Sequence, residues 1–173
     1  MNKVTIIATS LSENSKSQFI ARAAEAELSR RGITSELFDL RELDLPLAGS
    51  NASWGSEDAN RLSAAVESSS HVLFAVPVYC YDVNATAKNV IELIGRSFTK
   101  KIIAFACSAG GVFSYMSVMG MANHMMLDFR SVIVPRFLYV DPSGWEEDQL
   151  TPEIENRLKR LIQDMQEIHL TDS

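Results

Sequence analysis

The sequence has few cysteines, no excess of basic residues and no long apolar run. Its two cysteines, Cys80 and Cys107, are too few for a disulfide framework and show no zinc-binding spacing, so we expect free thiols, no metal site and a reducing compartment. Sixteen basic and twenty-two acidic residues give a net charge of −6 without a basic stripe, which disfavours nucleic-acid binding. The apolar run at residues 4–8 is too short for a signal peptide or a membrane span, so we expect a cytoplasmic protein without membrane contact.

Length and composition fit one folded domain. The 173 residues are 46% apolar and 22% charged, close to the globular average, and they contain no repeat, linker or low-complexity segment. We therefore expect a single domain over residues 1–173.

Short apolar runs alternate with longer stretches of helical spacing. Strands are predicted at residues 4–8, 35–40, 72–76, 102–107 and 132–134. Helices are predicted around residues 19–28, at 57–69, from 85, at 115–129 and after Pro152. The first, third and fourth strands lack polar alternation, as strands covered by helices on both faces do, which predicts a doubly wound α/β fold with a parallel sheet.

Three expectations concern single positions. Phe19 and Leu28 are expected on the buried face of the first helix, with Ala23 and Ala24. Pro77 is expected to end the third strand, and His71 to face solvent or lie at a strand edge.

The predicted helix at 115–129 is apolar on nearly all sides, because five of its residues are methionines. Such a helix needs cover on its outer face, which a second copy of the chain provides most easily. Burial within one subunit is the alternative.

Three loops follow the strands at the edge of an open parallel sheet where ligands bind. The first is rich in hydroxyls and runs into a helix N-terminus, which suits a phosphate, although its serines have capping as an alternative role. It lacks the glycine patterns of a triphosphate-binding or dinucleotide-binding loop, so a mononucleotide remains. In the third loop, adjacent glycines let a flat ring lie against the backbone. We therefore predict a flavin mononucleotide (FMN) site formed by Ser10, Ser12, Ser15, Lys16, Ser17, Pro77, Val78, Tyr79, Cys80, Tyr81, Ser108, Ala109, Gly110 and Gly111.

These loops resemble those of the NADPH-dependent FMN reductases. The family's first loop reads G-S-x-R-x-x-S, its second P-x-Y followed by L-K-N, and its third carries a serine and two glycines. The matching positions are Ser10, Ser15, Pro77, Tyr79, Lys88, Asn89, Ser108, Gly110 and Gly111. The resemblance runs in order over residues 3–140, and the tail is most similar to flavin reductases that supply alkanesulfonate monooxygenases. It implies a flavodoxin-like three-layer sandwich with a five-stranded parallel sheet of order 2-1-3-4-5.

The resemblance also implies an activity. An NAD(P)H-dependent FMN reductase passes a hydride from NADPH or NADH to FMN, and electrons go on to a flavin, quinone, azo dye or oxygen. No catalytic residue is expected, because the cofactor carries the chemistry. The family resemblance further implies a homodimer or homotetramer and a flavin-dependent monooxygenase as a partner. The alternatives are a non-enzymatic flavodoxin-like electron carrier, whose T-x-T-G-x-T loop is missing here, and an adaptor that has lost flavin.

Four positions depart from the family pattern. Thr9 replaces a usual Gly, Ser12 a frequent Arg, Asn84 a customary Ser or Pro, and Ala87 a common Leu. Loss of the Arg removes a charge-assisted contact to the phosphate, which weakens FMN binding by about 1.5–3 kcal/mol unless Lys16 or another group compensates.

Overall fold

Strands and helices alternate along the chain in the computed structural model, which describes residues 3–170. Residues 1, 2 and 171–173 of the predicted domain lie outside the described residues. The strands are β1 (Lys3–Ala8), β2 (Thr34–Asp39), β3 (His71–Tyr79), β4 (Asp82–Val83), β5 (Ile102–Ser108), β6 (Val132–Val140), β7 (Trp145–Glu146) and β8 (Gln149–Leu150). The helices are α1 (Lys16–Arg30), α2 (Glu57–Glu67), α3 (Ala85–Ile94), α4 (Met119–Phe129) and α5 (Pro152–Glu167).

Five parallel strands form the sheet in the order β2-β1-β3-β5-β6, which confirms the predicted 2-1-3-4-5 order. Two features add to the prediction: β4 pairs antiparallel with the end of β3, and β7 and β8 form a separate antiparallel hairpin. The strand order reverses between β1 and β3. In an open α/β sheet this is where a ligand crevice lies, at the carboxyl ends of the strands.

Apolar layers on both faces of the sheet make a three-layer sandwich. Helices α1 and α5 cover one face, and α2, α3 and α4 cover the other. At the centre of the second layer Phe74 packs against Phe98 and Phe105, with ring centroids 5.5 and 5.9 Å apart. On the first layer, α1 buries Ile20, Ala21, Ala24 and Leu28, so the predicted face was partly wrong. Phe19 is instead 38% exposed.

Two strands are several residues longer than predicted, and proline explains both errors. Strand β3 continues through Pro77 to Tyr79 because β1 ends opposite Ala75, so β3 is an edge strand there and tolerates a missing N–H. Strand β6 continues through Pro135 to Val140. Its register against β5 shifts between Ile103 and Phe105, and such a bulge accepts a proline without loss of a ladder hydrogen bond.

Helix α4 is shorter than predicted and begins at Met119. Residues before it form turns, in which the Ser117 N–H donates to the Ser114 carbonyl at 3.0 Å. The helix buries Met121, Ala122 and Met125 against the sheet. Its outer face exposes Met119, Met126 and Leu127 to solvent in a single chain.

Candidate functional site

A cavity of about 560 Å³ opens at the carboxyl ends of β1, β3 and β5. Three loops that the sequence analysis singled out meet there. The predicted site residues that line it are Ser10, Ser12, Ser15, Lys16, Pro77, Val78, Tyr79, Ser108, Ala109 and Gly110. Four lining residues were not predicted: Asn14, Pro142, Trp145 and Glu147.

The first loop presents a helix N-terminus to the cavity. Ser15 is the N-cap residue of α1, but its hydroxyl hydrogen-bonds the Ser17 hydroxyl at 2.8 Å and makes no capping bond. Ser17 is fully buried behind the loop, so it supports Ser15 and does not itself line the cavity. Ser10 accepts a hydrogen bond from the Ser12 N–H at 3.2 Å. The first-turn N–H groups and the helix dipole make this end of the cavity suited to an anion.

Two departures from the family pattern contact each other beneath this loop. The Thr9 hydroxyl donates to Asn84 Oδ1 at 2.7 Å, and Asn84 Nδ2 donates to the Thr9 carbonyl at 2.7 Å. The Thr86 hydroxyl also donates to that carbonyl. Both Thr9 and Asn84 are buried, so the network ties the first loop to the start of α3.

An ion pair between the buried Asp39 and the partly exposed Arg41 side chain supports the first loop from the end of β2. The Arg41 guanidinium pairs with the Asp39 carboxylate and donates to the Glu13 carbonyl at 3.0 Å. Burial alone would raise the pKa of Asp39, but hydrogen bonds from Arg41 and Gln18 outweigh it and lower that pKa below its ordinary value. Arg41 was not among the predicted site residues, although its position just after the strand beside β1 is a usable signal.

The second loop is a tight hairpin between β3 and β4. Cys80 and Tyr81 occupy its two central positions with φ of 51° and 63°, the left-handed conformation that such turns require and that glycine or asparagine usually adopts. Tyr79 and Tyr81 are 54% and 70% exposed. Cys80, Tyr81 and Gly111 line a neighbouring depression of about 240 Å³, with Phe113, and lie beside the main cavity.

The third loop gives the cavity a wall that carries no side chain at Gly110. The Ala109 N–H donates to the Val140 carbonyl at 2.9 Å, and the Tyr139 hydroxyl donates to the Gly111 carbonyl while accepting from Ser114 at 2.8 Å. A Cβ built on Gly110 or Gly111 meets no atom within 4 Å. The space beside this backbone is therefore free for a flat ligand.

The hairpin β7–β8 closes the cavity near the first loop. Lys16 Nζ donates to the Glu147 carbonyl at 2.7 Å and to Asp148 Oδ1 at 3.0 Å, and it lies 4.7 Å from the Trp145 ring centroid. Lys16 was predicted to bind the phosphate, and no role was predicted for this hairpin. A tryptophan followed by three acidic residues was the available signal.

The sequence model of the NADPH-dependent FMN reductase family matches residues 2–146. The chain belongs to this family. A flavin reductase of this family is an enzyme that uses FMN and a nicotinamide cofactor, so the enzymatic interpretation is favoured over the electron carrier. No curated protein matches the reductase.

Solved structures share the fold of this reductase at low sequence identity. An apo NADH:FMN oxidoreductase (EMOB) is 13% identical with a TM-score of 0.80, covering 95% of this chain and 88% of its own. FerB, an NAD(P)H:(acceptor) oxidoreductase from Paracoccus denitrificans, is 19% identical with a TM-score of 0.76, covering 96% and 98%. An archaeal flavodoxin is 14% identical with a TM-score of 0.67, covering 94% and 95%. The flavodoxin-like fold is thereby confirmed.

The side chains of Cys107 and His71 are buried and do not line the cavity. Burial raises the pKa of the Cys107 thiol well above its ordinary value, so that thiol stays protonated. His71 is 2% exposed and pairs with strands on both sides, so the expectation of a solvent-facing or edge position was wrong.

No helix among residues 3–170 has the length and apolar character needed to cross a membrane.

Proposed function

We propose that this reductase holds FMN in the 560 Å³ cavity, with the phosphate at the first loop and the ring system against the third. The predicted site residues would bind it, Ser17 indirectly through Ser15 and Tyr81 from the neighbouring depression. Residues 1–173 would form one FMN-binding domain. The observation that carries it is the meeting of all three loops in one cavity.

The phosphate end of the cavity supports an anion with neutral donors. N–H groups of the first turn of α1 and the hydroxyls of Ser10, Ser12 and Ser15 are the groups available to donate. Asn84 and Arg41 do not line the cavity; they hold the loop that presents these donors. A preorganised loop binds its ligand at a lower entropic cost than a mobile one.

The ring end of the cavity supports a planar group. The open space beside Gly110 and Gly111 admits a flat ring to the backbone, and the N–H groups of these two glycines would hydrogen-bond its polar edge. Tyr79 borders the same space from the second loop. Stacking of an aromatic ring contributes about 0.5–1.5 kcal/mol beyond its buried area.

When bound, FMN supplies the redox chemistry: it takes a hydride from NADPH or NADH and passes electrons to a flavin, quinone, azo dye or oxygen. The protein orients the ring and stabilises negative charge with fixed N–H donors on the third loop. No side-chain acid, base or nucleophile is needed for these tasks.

We further propose an oligomeric state, a cellular location and a recipient of the reduced flavin. The exposed face of α4, with Met119, Met126 and Leu127, fits burial against a second copy, so the reductase would be a homodimer or homotetramer. Its two free cysteines fit a reducing cytoplasm. A flavin-dependent monooxygenase would be one recipient of its reduced flavin.

The test is NADPH and NADH oxidation by purified protein with FMN, compared between the natural chain and Gly110→Leu. The added side chain fills the proposed ring space, so we expect loss of FMN binding, followed by fluorescence, together with loss of turnover. Ala26→Leu is the control, because it adds bulk at an exposed position of α1. Turnover that survives in Gly110→Leu would refute the assignment of the third loop.

A further inference from the structure

The segment 145–150, here called the acidic hairpin, holds Lys16 at the phosphate end of the cavity. Its strands pair Trp145 with Leu150, and its turn carries Glu147 and Asp148. Two hydrogen bonds from Lys16 reach the turn, at 2.7 and 3.0 Å. Trp145 also packs edge-on against Phe19 of α1, with ring centroids 6.5 Å apart. The hairpin is therefore fixed against the helix whose N-terminus faces the cavity.

The acidic hairpin neutralises the positive charge nearest to that helix N-terminus. Of the described residues that line the cavity, Lys16 alone has a cationic side chain, and it forms an ion pair with Asp148. Glu147 lines the cavity as well and adds a second carboxylate. Arg41, the cation behind the loop, donates to Asp39 and to loop carbonyls. The phosphate end thus offers neutral donors and no surplus positive charge.

We propose that Asp148, acting through Lys16, limits how strongly the site holds the flavin phosphate and so lowers its preference for FMN over riboflavin. This inference rests on the proposed function. A flavin phosphate carries a charge of about −1.5 to −2 at pH 7 and competes with Asp148 for the Lys16 ammonium, whereas riboflavin has no phosphate. Ser12, where the family often has Arg, supplies no replacement charge.

The experiment measures dissociation constants of FMN and riboflavin by quenching of flavin fluorescence, for the natural chain, Asp148→Asn, Lys16→Met and the double variant. In Asp148→Asn we expect FMN to bind about two- to fivefold more tightly at low salt, the range of an exposed ion pair, with riboflavin unchanged. The gain in FMN affinity should vanish at 0.5 M salt, where the Debye length is about 4 Å and exposed charges are largely screened. It should also vanish when Lys16 is Met.

Glu146→Gln is the matched control, since it removes the same charge from the same hairpin at a residue that neither lines the cavity nor pairs with Lys16. It should leave both affinities unchanged. An unchanged ratio of FMN to riboflavin affinity in Asp148→Asn, or weaker FMN binding, would overturn the inference while leaving the flavin site intact. Failure of both flavins to bind the natural chain would instead refute the proposed function.

Discussion

Loss of the Asn84 side chain should destabilise the protein through the loop that begins the cavity. Asn84→Ala removes the acceptor of the Thr9 hydroxyl and one donor to the Thr9 carbonyl, at a position where Thr9 is 0% and Asn84 5% exposed. A buried polar group that loses its partner costs about 1–3 kcal/mol. Because Thr86 still donates to that carbonyl, the cost comes mainly from the Thr9 hydroxyl, and we expect a loss of about 1–3 kcal/mol in the free energy of unfolding.

The assay is urea unfolding in a double-mutant cycle that combines Asn84→Ala with Thr9→Val. Once Asn84 is gone, the Thr9 hydroxyl keeps only a 3.4 Å contact to the Ala75 carbonyl, so its removal should cost little. We expect a coupling energy of about 1–2 kcal/mol, within the range found for residues in one hydrogen-bond network.

Thr5→Val is the matched control for this cycle. The Thr5 hydroxyl is also buried and bonds the Ser69 hydroxyl at 2.7 Å, far from Asn84. Its cost should add to that of Asn84→Ala within about 0.5 kcal/mol. Additive costs for Thr9 and Asn84 would refute an energetic coupling between these two departures from the family pattern.

Substitutions at three other residues test local energetics by the same urea assay. Tyr81→Gly should raise the free energy of unfolding by about 1 kcal/mol, because glycine adopts φ of 63° without strain. Tyr81→Ala should give no such gain, because alanine is strained at the same φ. Equal changes in the two variants would contradict backbone strain at Tyr81. Arg41→Met should cost about 1.5–3 kcal/mol at pH 7, because the buried Asp39 carboxylate loses its cationic partner and keeps only the Gln18 and backbone N–H donors. The deficit should shrink in acid as Asp39 is protonated. Burial lowers the pKa of His71 from 6.5 to about 4. Between pH 6.5 and pH 4 the unfolded chain therefore binds a proton on His71 that the folded chain does not bind. The free energy of unfolding falls by about 3 kcal/mol from pH 7 to pH 4 as a result. His71→Gln should lack that part of the pH dependence; an identical pH profile would contradict it.

Local patterns predicted the elements that carry the site. The unbroken apolar runs at β1, β3 and β5 and the helical spacing between them were sufficient for the parallel sheet, and strand order then followed from the family resemblance. The three loops could be grouped because parallel strands end at one edge of the sheet. Proline caused the two strand-length errors, since the bulge at Pro135 and the free edge at Pro77 depend on a neighbouring strand.

Long-range contacts decided what sequence reasoning missed. Arg41 reaches the first loop from the end of β2, and Tyr139 reaches the third loop from β6. The acidic hairpin contacts Lys16 across more than a hundred residues of chain. Neither residue type nor spacing indicates such pairs. They depend on how separate elements pack, and the same holds for the burial of His71 between two strands.

The most direct test of the account is a crystal structure of the protein grown with FMN. We predict a phosphate within hydrogen-bond distance of the N–H groups at residues 15–17 and a ring in van der Waals contact with the Gly110 backbone. A flavin bound elsewhere on the surface, with a side chain occupying the space beside Gly110, would contradict the account.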